Sequence, residues 1–238
     1  MSVLWLAAAL VCAGFVQGLS GFGFGLVSMS LMPLFMGIKQ AAVISTAFSL
    51  LATVSIFARH YRGYNWRLGA VFLASVCLGV PVGVYFLERG SERLLIRVLG
   101  GIMLAYAARE FLLSHESQRF AKWWTIPLGL FSGAMSGAFN LGGMPTAVYA
   151  YSQAWSRGQI MAFLQIMITL SCTLRMLLYY KTGLLIGIPW SKAVVLAIPV
   201  YAAIWLGHVA LLRIEQRLMR RGIFIFVGIS GLYYLFLH

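Results

Sequence analysis

The sequence predicts an all-α polytopic membrane protein with about eight to ten transmembrane segments. These form two inverted-topology repeats whose helices are broken or re-entrant. Three observations lead there. Of 238 residues, 61% are hydrophobic and 10% charged, whereas soluble domains carry about 25% charge. A water-excluded core cannot absorb so much apolar surface, so lipid must solvate part of it. Second, two glycine-rich breaks interrupt apolar runs: Gly18-Leu19-Ser20-Gly21-Phe22-Gly23-Phe24-Gly25, and Gly133 through Asn140-Leu141-Gly142-Gly143-Met144-Pro145. Backbone that leaves regular helix inside a bilayer must line a cavity or be covered by protein. Paired breaks of this kind point to a transporter's binding site. Third, the chain repeats itself weakly. Gly14-x3-Gly18-x-Ser20-Gly21 echoes Gly129-x3-Gly133-x2-Ser136-Gly137.

The first apolar run, about 3–18, lacks the basic start and small-x-small cleavage site of a signal peptide. Hydrophobicity continues to about Phe35, so this is a retained membrane segment. The first break separates it from a run of about 22–36, which passes through Pro33. Segments of about 40–60, 67–87 and 94–113 follow, each near the ~20 helical residues that a 30 Å core requires. A hydrophilic stretch from roughly Ser114 to Lys122 then joins the halves. The second half repeats the plan at about 124–137, 141–155, 159–180, 190–212 and 219–237. The pairs 3–18/22–36 and 124–137/141–155 are short. Each is either two half-deep helices forming a hairpin or one long segment broken at depth. The organisation is therefore a first repeat (1–113), a basic connecting loop (114–123) and a second repeat (124–238). An odd number of segments per half makes the second half enter from the opposite side.

The net charge of +13 lies in short clusters between apolar runs, where headgroups and the positive-inside rule account for it. No polar segment is long enough to form a nucleic-acid surface. With ten segments and the N-terminus outside, eleven basic residues fall in inner loops and six in outer ones, which predicts that both termini are periplasmic. Cys12, Cys77 and Cys172 lie inside apolar runs without metal or disulfide spacing. Trp66, Trp123, Trp124, Trp155 and Trp190 lie near segment ends and suit interfacial anchoring.

The candidate substrate contacts are the polar and glycine positions at membrane depth. In the first break, Ser20, Gly21, Gly23 and Gly25 leave amides free to face a cavity. A half-helix starting just after Ser20 presents its amide-rich end to an anion. Ser136, Gly137, Asn140, Gly142 and Gly143 offer the same in the second break. The competing reading is close helix packing by small residues, which Gly14-x3-Gly18 and Gly129-x3-Gly133 suit. Gln17 and Gln165 either face substrate or bond between helices. Arg175 is the cation well inside an apolar run. It either pairs with an anion or snorkels toward the segment end at Lys181. His208 either carries a proton or packs.

There is no Asp, and the five Glu (Glu88, Glu92, Glu110, Glu116 and Glu215) sit at the edges of apolar runs. A carboxylate proton relay is therefore not expected. Neither is a metal site, a cofactor, a Walker motif or a catalytic cluster.

The run Gly18-x2-Gly21-x-Gly23-x-Gly25 with Pro33, and Gly133-x3-Gly137 followed by Asn140-Leu141-Gly142-Gly143-x-Pro145, resemble the TauE/SafE family of sulfite exporters. That family is also described as the toluene-sulfonate uptake permease family. The resemblance covers essentially the whole chain. It implies a carrier of the bacterial inner membrane for sulfite, organosulfonates such as sulfoacetate, or related small anions. Carried over by motif, the contacts are Gln17, Ser20, Gly21, Gly23 and Gly25 in one half. In the other they are Ser136, Asn140, Gly142 and Gly143. Ala138-Phe139-Asn140 stands where the family pattern is richer in glycine. The expected function is secondary transport of a small anion. An anion channel, a non-transporting scaffold and an intramembrane enzyme are the alternatives. The expected partners are the anion, membrane lipids and, from the small-residue faces, a second copy in a homodimer.

Overall fold

The computed structural model describes residues 3–60, 69–112, 122–188, 190–210 and 216–236. Much of the connecting loop, together with Trp66, Glu116 and Glu215, lies outside them. Ten α-helices and short 3-10 turns make up the described fold, which contains no strand. They are α1 (Val3–Ser20), α2 (Phe24–Leu31), α3 (Ile38–His60), α4 (Ala70–Arg89), α5 (Glu92–Leu112), α6 (Thr125–Phe139), α7 (Gly143–Ser152), α8 (Arg157–Lys181), α9 (Trp190–Ala210) and α10 (Gln216–Phe236).

Among the described residues, Ala70–Arg89, Gly158–Lys181 and Ala193–Ala210 are long and apolar enough to cross a membrane. The helices at the two breaks are not. α2 has eight residues and α7 has ten, or about 12 and 15 Å of helix against a hydrocarbon core of ~30 Å. Apolar side chains cover the outside of the bundle, as on α9, where Val194, Val195 and Ile198 are all exposed. In lipid such surface needs no further burial.

Four helix pairs dominate the packing: α4 along α6, α1 along α9, α5 along α10, and α3 along α8. The first three rest on glycine. A Cβ at Gly83 would fall 2.1 Å from the Ala134 carbonyl oxygen, and one at Gly137 would fall 2.3 Å from that of Val80. Gly18 and Gly207 bring α1 and α9 equally close. Small residues let helix backbones approach and gain dispersion contact where lipid supplies no hydrophobic drive. The small-residue faces behind the dimer expectation are thus occupied inside the protomer.

The α3/α8 pair differs. It is central and carries buried polar groups: Ser45, Ser49, Gln165, Ser171 and Arg175. Ser156 starts α8 with a capping box. Its hydroxyl accepts the Gln159 amide, and the Gln159 side chain accepts the Ser156 amide, so two otherwise orphan donors are satisfied. Nearby, Trp155 stands edge-on to Phe163, and Tyr149 stacks on Phe72 at 4.2 Å. Trp155 is therefore part of an aromatic cluster, whereas Trp123 and Trp124 stack on each other at the exposed start of α6.

Candidate anion site

The first break is closed by its own side chains. α1 ends at Ser20, and the chain turns through Gly21 (φ 75°) and Gly23 (φ 107°) into α2. These are left-handed conformations that a Cβ disfavours. Gln17 spans the turn. Its Oε1 accepts the Phe24 amide at 3.1 Å and its Nε2 donates to the Gly21 carbonyl at 3.3 Å. The Ser20 hydroxyl turns back to the carbonyls of Val16 and Phe22. From α8, Gln165 Nε2 also donates to the Gly21 carbonyl, at 2.6 Å.

The second break uses Asn140. It caps α6 in the left-handed region at φ 59°, the one non-glycine residue with positive φ among those described. Asn tolerates this region better than most residues. Beyond it, the hydroxyls of Ser132 and Thr146 lie 2.8 Å apart and are both 2.8 Å from the Gly142 carbonyl. Tyr106 of α5 donates to the Leu141 carbonyl.

The structure brings the two breaks together. A Cβ at Gly25 would fall 1.8 Å from the Asn140 carbonyl oxygen, and Gly143 faces Phe22. Arg175 of α8 closes the junction with no solvent exposure. Its Nη1 donates to the Ser136 carbonyl at 2.8 Å and its Nη2 to Asn140 Oδ1 at 2.7 Å. Nε reaches the Ser171 carbonyl and Nη2 also meets Cys172 Sγ. Arg175 therefore does not snorkel; it caps the carbonyl end of α6, where a cation is favoured.

A cavity lies at this junction. Its volume is about 30 Å³, room for roughly two waters. Of the residues singled out from sequence, Gln17, Gly23, Gly25, Ser136, Asn140, Gly143 and Arg175 line it. Ser20, Gly21, Gly137, Gly142 and Gln165 do not. Gly21 and Gln165 brace the first break from behind, Gly142 is folded against Ser132 and Ser136, and Gly137 packs on α4. His208 is exposed on α9, outside the cavity. Ser49 and Ser171 also line the cavity. Sequence reasoning missed them because, outside the two breaks, it weighed only the larger polar side chains at depth. The signal was there in Ser45 and Ser49, which are four apart and so share a helix face.

Two helix N-termini and a guanidinium face the cavity, beside the carbonyl end of α6 that the guanidinium caps. The first turn of a helix leaves amides without intrahelical acceptors, and the first turns of both α2 and α7 contribute to the wall, with Gly25 and Leu26 from one and Gly143 and Met144 from the other. Both helices aim positive dipole ends there. Every hydrogen bond of the Arg175 guanidinium goes to a neutral acceptor. Glu92 and Glu88 serve elsewhere. Glu92 Oε1 accepts the Ile38 amide at 2.7 Å, capping α3, while Lys39 Nζ donates to the Glu88 carbonyl. Among the described residues no group of His, Cys, Asp and Glu is placed to hold a metal.

The model of a family described as sulfite exporter TauE/SafE matches residues 6–234. A protein of Cupriavidus necator named "Probable sulfite/organosulfonate exporter TauE" is 26% identical over 184 residues, covering 74% of this chain and 72% of the relative. No solved structure matches.

Proposed function

The chain belongs to the sulfite exporter TauE/SafE family, whose members are membrane transporters rather than enzymes, and from that membership we propose that it exports a small sulfur oxyanion, sulfite or an organosulfonate, bound between the two helix breaks. The observation that carries this reading is Arg175. A fully buried guanidinium with only neutral partners is costly, because its charge is desolvated without an opposite charge. An anion in the adjoining cavity removes that cost. The amide ends of α2 and α7 add donors without adding net charge, so binding need not be too tight for release. An oxyanion headgroup matches the size of the cavity, and a larger organosulfonate needs the helices to part. The inside-negative potential favours outward movement of an anion.

The architecture supports a finer proposal. Exchanging α1–α5 with α6–α10 turns the α1/α9 pair into α6/α4, and leaves α3/α8 and α5/α10 unchanged. The four dominant contacts are thus preserved by the exchange. Each half has an odd number of helices and one break near its start. Two pseudo-symmetric halves, about 1–113 and 124–238, related by an axis in the membrane plane, would give this pattern. Alternating access would then be rocking of one half against the other around the breaks. The basic-residue bias supports an orientation with both termini in the periplasm of a bacterial inner membrane.

Uptake of labelled sulfite, sulfoacetate and acetate into proteoliposomes, with pH and sodium gradients imposed separately, tests the reading. Saturable sulfite or sulfoacetate transport that Arg175→Gln weakens is the expected result. Background uptake of all three anions overturns it. Conductance far above carrier turnover in a planar bilayer would make the protein a channel instead.

A further inference from the structure

We propose that Ser49 is a fixed hydrogen-bond donor that makes the cavity select oxyanions carrying no proton; this deepens the anion reading above and rests on it. The argument follows hydrogen polarity from Arg175 outward. A guanidinium has donors and no acceptor. The atom of Asn140 that meets Arg175 Nη2 at 2.7 Å must therefore be the amide oxygen. That fixes the flip of the Asn140 side chain, which is otherwise ambiguous. The amide nitrogen then faces Ser45 Oγ at 2.8 Å and Ser49 Oγ at 2.7 Å. Having donors alone, it forces both hydroxyl oxygens to accept.

Each serine must send its own hydrogen elsewhere. Ser45 sends its hydrogen to Ser28, 2.6 Å away, and Ser28 passes its own on to the Gly25 carbonyl at 3.3 Å. Thr46 and Thr53 on the same helix turn their hydroxyls back to the carbonyls of Ala42 and Ser49. Ser49 has no such carbonyl partner among the described residues, and its side chain is at the cavity wall. Its hydrogen points to whatever occupies the cavity. The chain Arg175–Asn140–Ser49 thus converts a buried positive charge into an oriented hydroxyl donor.

The consequence is chemical discrimination. A ligand oxygen facing Ser49, Arg175 and the amides of α2 and α7 meets donors. A sulfonate or fully deprotonated sulfite accepts from all of them. A monoprotonated phosphonate or phosphate brings a hydrogen of its own and needs an acceptor. The cavity wall offers it no carboxylate. A site built around a specific hydrogen-bond polarity rejects the mismatched analogue because buried groups are left unpaired.

Methanesulfonate and methylphosphonate provide the test. Near neutral pH both are mainly tetrahedral monoanions of similar size, the phosphonate alone keeps an O–H, and part of the sulfite is fully deprotonated. Each is used to inhibit labelled sulfite uptake by the full-length protein in proteoliposomes. Methanesulfonate should inhibit at a concentration about tenfold lower than methylphosphonate. Ser49→Ala should weaken methanesulfonate and bring the ratio close to one. Sulfite uptake with equal inhibition by the two anions in the unmodified protein overturns the Ser49 assignment and leaves the anion reading standing. So does a ratio that Ser49→Ala does not change. Absence of sulfite uptake by the unmodified protein overturns both. The unmodified protein decides the question alone if the variant does not assemble.

Discussion

Arg175 Nη2 lies 2.7 Å from Asn140 Oδ1, which joins the C-terminal third of α8 to the residue that ends α6. That contact ties the charge of the cavity to the geometry of the second break. It also explains how a cation inside an apolar segment is tolerated: the guanidinium satisfies the carbonyl end of α6 while facing the cavity.

Substitution of Arg175 should therefore separate charge from shape. Arg175→Lys keeps the charge and loses the planar fork. Losing one donor to a charged group costs about 1.5–3 kcal/mol, so sulfite affinity should fall about 10- to 100-fold. Arg175→Ala should also lower the thermal midpoint, because the α6 carbonyls lose their partner. Transport kinetics and a thermal melt in detergent read the two effects independently.

Asn140 can be dissected through its backbone. At φ 59° glycine is the one residue more comfortable than asparagine. Asn140→Gly should lower the melting midpoint only by what the lost side-chain hydrogen bonds are worth, and should weaken anion binding, because the amide is gone. Asn140→Ala should lose both, with about 1–2 kcal/mol of backbone strain added. Equal melting losses in the two variants would show that the side chain, rather than the backbone, holds the turn.

Contact between the breaks predicts a position effect among glycines. Gly25→Ala places a methyl 1.8 Å from the Asn140 carbonyl oxygen, so it should force the breaks apart and abolish transport. Gly101→Ala meets nothing within 4 Å and lies in α5. It should be neutral or stabilise by up to about 1 kcal/mol. Membrane-inserted protein and sulfite uptake, measured for both variants, check the contrast.

Glu88 and Glu92 should be dispensable for coupling. Glu92→Gln keeps an acceptor for the Ile38 amide, and Glu88 engages Lys39 through its backbone. Transport by Glu92→Gln and Glu88→Gln should match the unmodified protein under the same imposed gradients. Glu92→Ala should cost about 0.5–2 kcal/mol of stability, the worth of a helix cap, without changing the coupling ion. Loss of gradient dependence in either glutamine variant would place a carboxylate in the mechanism.

Some of this was legible in the chain and some was not, and particular residues show why. The breaks at Ser20–Gly25 and Asn140–Gly143 were visible because irregular backbone in an apolar run leaves a compositional mark. So was the packing role of Gly14, Gly18, Gly129 and Gly133, since small residues spaced by four line one helix face. The isolation of Arg175 in an apolar segment flagged it. Its partners could not be read, because Asn140 and Ser136 lie more than thirty residues away in sequence. Ser49 looked like any membrane serine, most of which bond their own helix.

Local chemistry fixed the helical class, the membrane setting and the positions of the breaks, since each depends on residues near in sequence and on the cost of burying unpaired backbone. Which polar groups line the cavity, and which merely brace it, was decided by tertiary structure. Gln165 and Gly21 carry the same donors and acceptors as true cavity residues, yet their contact with each other turns them to the back of the first break. Ser49 gains a free hydroxyl hydrogen because Asn140, held by Arg175 from another helix, saturates its oxygen. Hydrogen-bond direction is passed from group to group across the packed bundle, so it exists only once the helices that carry those groups have met.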